Sequence, residues 1–304
     1  MSTKELNTST TIGWIGLGQM GVAHVTNLLK HGFSVTCWNR TAEKCSGVCA
    51  LGAVAVSTPA EVVKASTVTF VMLSNADATR SVYTLPDTGI LAALSPGKYV
   101  CECATIDADT ISELARQVRE RSGAFLASPV AGHSKMAVNA TCQSLCSGDR
   151  AVFDVVEPAL LVMSKNAVFL SEDERVASQA KIIINGLLAK MTASIAEGLS
   201  QMRGAGLNSE SFLQLLQGHA MFSPFLGLCS KFMLDGAHPP LFQLRHMEKD
   251  ARLASELSQN LGAERHHLTH AAATAYKEAT TDGSWNADNW TAIFEYIEAK
   301  NEGN

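Results

Sequence analysis

Charged residues are scarce in this chain, and no stretch of it is strongly basic. Aspartate, glutamate, lysine and arginine make up 17% of the 304 residues, and the formal net charge is −5. Nucleic-acid binding usually needs a basic patch, so the composition argues against that function. The low proportion of charge also indicates that a partner subunit covers part of the surface.

Long apolar runs and targeting signals are missing as well. No run approaches the roughly eighteen apolar residues of a membrane span. The first residues, MSTKELNTSTT, have neither the apolar core of a secretion signal nor the arginine-rich pattern of a transit peptide. We therefore expect a short disordered lead over residues 1–10 and a cytoplasmic protein without membrane contact.

Recognisable disulfide and metal patterns are lacking too. The cysteine count is even, eight, but a cytoplasmic protein keeps its thiols reduced. Cys101 and Cys103 share one face of a predicted strand across Glu102, whereas Cys142 and Cys146 lack a second ligand pair at zinc spacing. We expect free thiols and no metal site.

The strongest positive signal is the segment TIGWIGLGQMG at residues 11–21. A short apolar strand runs into Gly-x-Gly-x-x-Gly and then into a helix. In this context the first glycine permits the tight turn, the second lets the backbone approach a pyrophosphate, and the third lets the helix pack closely. The positive end of the helix then faces the phosphates. The segment predicts a Rossmann-type turn whose residues bind a dinucleotide: Gly16, Leu17, Gly18, Gln19, Met20 and Gly21.

An acidic residue is absent where an NAD site usually has one. After the next predicted strand the chain has Asn39, Arg40 and Thr41. No carboxylate repels a 2′-phosphate there, and Arg40 can pair with one. We therefore assign these three residues to the cofactor and expect NADP(H) rather than NAD(H). The alternative is that Arg40 is a solvated residue at a helix start and Thr41 an N-cap.

The pattern along the chain predicts two domains, because 304 residues exceed the size at which single cores stop growing. Strand and helix signals alternate through the first half, which predicts a doubly wound parallel sheet. Strand signals vanish near residue 171, and helical patterns follow. We therefore expect an α/β fold, with a Rossmann domain over 11–173 and an all-helical domain over 174–304. The long apolar helix predicted over 177–202 should be buried between the domains or across a dimer interface.

Lys181 is the strongest catalytic candidate. It interrupts an apolar run near the start of that long helix, and Asn185 lies one turn further on the same face. Desolvation in a cleft would lower the pKa of the ammonium and make it a usable general acid near neutral pH. The alternative is a lysine that reaches solvent from a buried helix. A second candidate segment, SPVAGH at 128–133, is a predicted loop whose open N–H groups could bind a carboxylate.

Six motifs follow one another in an order that resembles the β-hydroxyacid dehydrogenase family: GLGQMG, MLS, ATID, PVAG, AKIIIN and KDARLA. The resemblance spans about residues 11–298, and within the family the chain is most similar to the glyoxylate/succinic semialdehyde reductases. It implies a Rossmann domain followed by an all-helical domain, packed into homodimers or homotetramers through the helices. It also implies hydride transfer between NAD(P)H and a small aldehyde acid.

The resemblance further implies roles for the residues at matching positions. Lys181 matches the family's catalytic lysine and Asn185 its helper asparagine. Further cofactor contacts are implied at two strand ends and in the KD motif: Leu73, Ser74, Thr105 and Lys249. Substrate contacts are implied in the PVAG loop and in the helical domain: Val130, Ala131, Gly132, His133, Phe242 and Asp250.

Departures from the family pattern cluster at the substrate loop. PVAG stands where PVSG is usual, so Ala131 lacks a hydroxyl worth about 0.5–1.5 kcal/mol, or up to about 3 kcal/mol to a charged group. Residues 175–179 replace a glycine-rich approach to the lysine, and 139–141 replace a usual glycine. Because the cofactor motifs are spared, we expect retained hydride transfer with an altered acid pocket.

These observations predict an NADPH-dependent reductase of a small aldehyde acid, with Lys181 as its general acid. Two alternatives stay open. The missing serine favours an NADP-binding scaffold that has lost catalysis. An imine reductase on the same scaffold is the other, and Lys181 argues against it because those enzymes generally lack the lysine.

Overall fold

The computed structural model describes residues 10–263, 265–281 and 283–302, so nearly all of the expected disordered lead lies outside the described residues. The chain divides into two compact units between Lys181 and Ile182, within one continuous helix. The domain limits predicted from the sequence, 11–173 and 174–304, stay predictions.

The first unit alternates strands and helices, as the sequence predicts. Its strands are β1 (Thr11–Ile15), β2 (Ser34–Trp38), β3 (Val54–Ala55), β4 (Val68–Val71), β5 (Tyr99–Glu102), β6 (Ala124–Ala127), β7 (Val130–Ala131), β8 (Gln143–Gly148) and β9 (Asn166–Ser171). Its helices are α1 (Gln19–Lys30), α2 (Ser46–Cys49), α3 (Pro59–Ala65), α4 (Ala76–Thr84), α5 (Ala108–Glu120), α6 (Ser134–Val138) and α7 (Arg150–Met163), with 3-10 helices at Ala42–Cys45 and Ile90–Ala93.

Six strands form the predicted parallel sheet, in the order β3-β2-β1-β4-β5-β6. Alternate side chains of each strand point to opposite faces. One face packs against α1, α2 and α7, and the other against α3, α4 and α5. The strand order reverses between β1 and β4, which is where open α/β sheets bind ligands at the carboxyl ends of the strands. The Rossmann-type α/β prediction is confirmed.

Three strands beyond β6 were not predicted. β8 pairs antiparallel with both β6 and β7, and β9 pairs parallel with β8. The loop predicted at 128–133 therefore contains a two-residue strand, too short for any periodicity to reveal. Between β2 and β3 the 3-10 helix Ala42–Cys45 is followed directly by α2, and poor helix formers at Ser46 and Gly47 lie where the two meet.

The second unit is helical over its described residues. It contains most of α8 (Arg175–Gly204), then α9 (Ser209–Gln217), α10 (Pro224–Leu234), α11 (Leu244–Asn260), α12 (His267–Thr281) and α13 (Ile293–Glu302). A Cβ added to Gly186 of α8 would lie 2.6 Å from the Cβ of Ala254 in α11, so these helices pack closely there. Trp290 donates from Nε1 to Thr192 Oγ1 at 3.0 Å, and both are buried in the core.

Helix α8 contains an 18-residue window with a mean hydropathy of 1.3, long and apolar enough by composition to cross a membrane. No such stretch was expected from the sequence, because Lys181, Asn185 and other polar residues interrupt its apolar runs. In the structure 44% of that window is buried inside the protein. Core helices of globular proteins pass the same test, so the window is weak support for a membrane span.

All eight cysteines are free thiols, and only Cys49 is not fully buried. Among the residues that the structure describes, no group of three or more histidine, cysteine or acidic side chains could hold a metal ion.

Candidate active site

The glycine turn between β1 and α1 has the geometry that its spacing predicts. Gly16 has φ +102°, and an added Cβ would lie 2.2 Å from the Met72 carbonyl oxygen. A Cβ on Gly21 would lie 2.1 Å from the Gly16 carbonyl oxygen, which is why α1 can pack so closely on the turn. A Cβ on Gly18 would meet nothing within 4 Å. The outer side of the turn is therefore open to a ligand.

The first N–H groups of α1 also face this opening. Gly18 is the N-cap residue of α1, and no side chain caps the helix there. Uncapped N–H groups and the positive end of the helix dipole together favour an anion. Gln19 is exposed and Met20 half-buried beside them. These features fit a dinucleotide pyrophosphate.

Asn39 connects the turn to the loop after β2. Its Oδ1 accepts a hydrogen bond from Leu17 N at 2.9 Å, and its Nδ2 donates to Thr41 O at 2.8 Å. Arg40 and Thr41 are exposed, and the first helical turn after them begins at Ala42. An exposed guanidinium at this edge can reach a 2′-phosphate, so the arrangement fits NADP(H).

Three further cofactor candidates follow the next strands of the sheet, β4 and β5. Leu73 is half-buried and Ser74 exposed just after β4, and Thr105 is half-buried just after β5. Because β1, β4 and β5 are parallel neighbours, these loops lie on the same edge as the glycine turn.

The substrate-loop candidates lie around β7. Val130 and Ala131 pair with Ser144 and Gln143 of β8, and Gly132 follows with φ +148°. A Cβ on Gly132 would lie 2.6 Å from Cys142 Sγ, so the loop is packed directly on that thiol.

His133 is the N-cap residue of α6. Burial and then the charge of Lys135 lower the pKa of the His133 imidazole. The ring is therefore mostly neutral at pH 7, which makes it a weak partner for a carboxylate.

Lys181 is buried, with 4% of its surface exposed, and it belongs to the first unit. Burial raises the pKa of the Cys142 thiol to about 11, and the nearby Lys181 ammonium opposes that rise. The charge of Lys181 therefore acts on Cys142, the same thiol on which Gly132 packs. The lysine does not reach into bulk water, which was the alternative.

The remaining candidates lie in the second unit, and three of them form one group. Asn185 Nδ2 donates to Asp250 Oδ2 at 2.5 Å, and Lys249 Nζ lies 2.9 Å from Asp250 Oδ1. Asn185 and Asp250 are both buried. The carboxylate thus orients the amide of Asn185 and holds the Lys249 ammonium. Phe242 is separate, stacked on His246 at 6.3 Å and packed near Trp290.

Glu102 is a buried residue that no sequence pattern singled out as functional. It ends β5, accepts Ala104 N at 2.9 Å on Oε1, and accepts the Tyr83 hydroxyl at 3.0 Å on Oε2. Burial raises the pKa of its carboxyl to about 8, and the two hydrogen bonds oppose the rise. A lone acidic residue within an apolar strand was the only sequence signal for it.

Comparisons with known proteins agree with this geometry. Residues 11–171 match a family model described as the NAD binding domain of 6-phosphogluconate dehydrogenase. Residues 176–296 match one described as NAD-binding of NADP-dependent 3-hydroxyisobutyrate dehydrogenase.

Two curated relatives show the similarity along the chain. The chain is 37% identical over 275 residues to the human cytokine-like nuclear factor N-PAC, and the matched region covers 90% of this chain and 49% of that protein. The chain thus spans about half the length of the first curated relatives it matches. It is 34% identical over 291 residues to glyoxylate/succinic semialdehyde reductase 1 of Arabidopsis thaliana, which covers 96% of this chain and 99% of that protein.

Among solved structures, a 3-hydroxyisobutyrate dehydrogenase of Mycobacterium tuberculosis, determined with L-serine, is similar with a TM-score of 0.84. It is 24% identical and covers 95% of this chain and 99% of its own. At that identity the likeness supports the fold.

Proposed function

The chain belongs to the β-hydroxyacid dehydrogenase family, and from that premise we propose that it is an NADPH-dependent reductase of a small aldehyde acid. Glyoxylate and succinic semialdehyde are the model substrates, and the product is the hydroxy acid. The observation that carries the proposal is the burial of Lys181 in the same unit as the open glycine turn. We also propose that the protein works in the cytoplasm.

The residues of the first unit would hold NADP(H) in defined ways. The turn at Gly18 and the start of α1 would take the pyrophosphate, and Arg40 the 2′-phosphate. Leu73, Ser74 and Thr105 are the further proposed cofactor contacts of this unit. Lys249, a residue of the second unit, is also proposed as a cofactor contact. When bound, the cofactor supplies a hydride for the carbonyl carbon.

The protein's own chemistry is proton supply and orientation. The Lys181 ammonium would protonate the alkoxide that develops on the substrate, and Asn185, oriented by Asp250, would help to place it. Backbone N–H groups of the loop from Val130 to His133 would hold the substrate carboxylate. Phe242 would border the rest of the substrate.

A Lys181→Ala variant tests the mechanism. General acid catalysis contributes about 10²–10⁴-fold, so kcat should fall by roughly that factor while NADPH still binds. Lys190→Ala is the matched control, because Lys190 lies on the same helix and donates to Thr269 at 3.2 Å. The assay is NADPH oxidation with a panel of short aldehyde acids, and NADH is the cofactor control. Normal turnover by the Lys181 variant would reject the mechanism.

The identity of the acid pocket is testable at Ala131. Ala131→Ser restores one hydroxyl donor to a charged carboxylate, worth about 1.5–3 kcal/mol, so kcat/KM for an aldehyde acid should rise about 10–150-fold. Val130→Thr adds a hydroxyl to the neighbouring residue and serves as the control. An unchanged kcat/KM for glyoxylate in Ala131→Ser would show that the substrate carboxylate does not bind to this loop.

A second candidate function is an NADP-binding scaffold without catalysis. Ala131 in the substrate loop favours it, and so does the similarity to N-PAC, which is named as a nuclear factor. Tight NADPH binding without turnover of any aldehyde acid or cyclic imine would support it. Turnover of cyclic imines alone would instead support an imine reductase.

We propose further that the protein is a homodimer or homotetramer through its helical unit. Four apolar side chains of α8 are exposed: Ile183, Ile184, Leu187 and Met191. Beside them lies an open apolar groove of about 1010 Å³, between α8, α9, α10 and the start of α12. A second copy of the chain would cover this apolar surface.

Light scattering after gel filtration tests the oligomer. Leu187→Glu should reduce the mass to that of one chain, because it places a charge on the apolar face. Leu51→Glu is the matched control, because Leu51 has the same 54% exposure on the first unit. A single-chain mass for the unmodified protein would overturn the proposal.

A further inference from the structure

The loop between β5 and α5 is held at both ends by hydrogen bonds. Glu102 accepts the N–H of Ala104, and Cys103 N donates to Val71 O at 2.7 Å. At the other end Asp107 caps α5 by accepting Thr110 N at 2.7 Å. Thr105, the proposed cofactor contact, lies in the middle of this loop.

A third hydrogen bond joins the loop to the helix that carries Lys181. The hydroxyl of Ser178 donates to the carbonyl oxygen of Ile106, and both residues are about 99% buried. Residues 103–107 and the start of α8 belong to the same unit. This bond therefore links two separate segments of the proposed site.

The direction of the Ser178 hydroxyl has a structural cause. A serine inside a helix commonly donates to the carbonyl four residues earlier, which here is Glu174. That carbonyl already accepts the hydroxyl of Ser147, from the end of β8, at 2.9 Å. Ser147 Oγ in turn accepts Ala177 N at 2.9 Å. Because the hydroxyl of Ser147 already donates to the Glu174 carbonyl, the hydroxyl of Ser178 points away from its own helix and toward the loop between β5 and α5.

Lys181 lies three residues after Ser178, on the same face and one turn further along the helix. Fixing Ser178 to Ile106 therefore fixes the rotation of the turn from which the lysine projects. The loop and that turn also contact the same fully buried surroundings, since Ala104, Ile106 and Ala177 pack in one apolar cluster.

We propose that Ser178 is a positioning residue, which holds the Thr105 loop and the Lys181 turn in one fixed relation. The inference rests on the proposed function for its kinetic consequence, because Thr105 and Lys181 would act on the two reactants of one hydride transfer. An error of about 1 Å between reacting groups can lower a rate about 100-fold. The hydrogen bond from Ser178 thus controls kcat rather than cofactor affinity.

The test compares Ser178→Ala with Ser66→Ala. Ser66 is equally buried, also donates to a carbonyl (Val62 O, 2.7 Å), and lies at the opposite, amino-terminal edge of the sheet. We expect Ser178→Ala to lower kcat about tenfold with the NADPH Kd changed less than about threefold. Ser66→Ala should lower the unfolding midpoint comparably and leave kcat unchanged. Ser178→Cys fills nearly the same space but donates only a weak hydrogen bond, so its kcat should lie between that of the unmodified protein and that of Ser178→Ala.

Amide hydrogen exchange gives a readout that does not require turnover. In Ser178→Ala, amide exchange should become faster both in residues 103–107 and in residues 175–183. In Ser66→Ala, exchange should not change in either segment. If kcat and exchange in Ser178→Ala both equal those of the unmodified protein, the positioning role is wrong. If the unmodified protein turns over no aldehyde acid, the proposed function fails, and the exchange data alone decide whether Ser178 joins the two segments.

Discussion

Glu102 should make the protein less stable as the pH rises, and Glu102→Gln should remove that dependence. Burial raises the pKa of this carboxyl from 4.5 to about 8. The native state therefore keeps the proton that the unfolded chain releases above pH 4.5. Because the native state binds more protons, the free energy of unfolding falls as the pH rises from 4.5 to 8. A glutamine in place of the neutral carboxyl does not titrate.

The size of the effect follows from the two pKa values. One pKa unit corresponds to about 1.4 kcal/mol, and the populations of both forms give a loss of roughly 3–4 kcal/mol between pH 5 and pH 8. In Glu102→Gln the new side-chain amide can still accept Ala104 N and can donate to the Tyr83 hydroxyl. The titratable groups that interact electrostatically with this carboxyl are a phenol and two thiols, Tyr83, Cys101 and Cys103, and burial raises the pKa of each. They stay neutral over this range.

Urea unfolding of both proteins at each pH from 5 to 9 measures the difference directly. Every other titrating group is shared, so the difference between the two curves isolates Glu102. Glu120→Gln is the matched control, because Glu120 is an exposed residue in an ion pair with Arg116, and its curve should parallel that of the unmodified protein. A constant difference between pH 5 and pH 8 would refute a neutral Glu102, and a difference of opposite slope would show that it is ionised.

Three further outcomes are expected. Arg40→Ala should raise the Kd for NADPH about tenfold or more and leave the Kd for NADH unchanged, since a charge-assisted hydrogen bond contributes about 1.5–3 kcal/mol. Fluorescence titrations measure both constants, and equal changes for the two cofactors would contradict the 2′-phosphate contact. Ala140 has φ +52°, so Ala140→Gly should stabilise the protein by about 0.5–1 kcal/mol in thermal unfolding, and no gain would mean that the left-handed backbone is unstrained there. Burial lowers the pKa of His24 to about 4, so the unfolded chain takes up a proton before the native state does, and the free energy of unfolding should fall by up to about 3 kcal/mol as the pH falls from 6.5 to 4. His24→Phe should lack this loss of stability. An equal loss in the unmodified protein and in His24→Phe would exclude His24 as its source.

The sequence predicts the parts of the site that depend on local backbone geometry. The glycine turn could be located because two of its glycines, Gly16 and Gly21, are required by close backbone contacts, whereas Gly18 leaves the ligand side of the turn open. The lysine and asparagine could be placed on one helix face because helical spacing alone fixes that relation. The helix predicted over 177–202 lies within two residues of α8 at each end, since its long helical pattern is local to the sequence.

The parts that were missed depend on contacts between distant segments. β7 has two residues, and it forms only because β8 lies beside it. Ser178 looks like an ordinary helical serine until Ser147, thirty-one residues earlier, is seen to occupy its usual acceptor. Glu102 gains its role from Tyr83 and from burial on all sides, which no periodicity reports.

The side chain of Asn39 has a consequence for any attempt to switch the coenzyme. Its amide serves two loops at once, as acceptor for Leu17 N and as donor to Thr41 O. An acidic residue at this position, as NAD enzymes favour, could still accept the hydrogen bond from Leu17 N. Its carboxylate could not donate to Thr41 O, so two acceptor oxygens would face each other there. Redesign toward NADH is therefore better begun at the exposed Arg40, whose side chain, unlike that of Asn39, holds no other described loop in place.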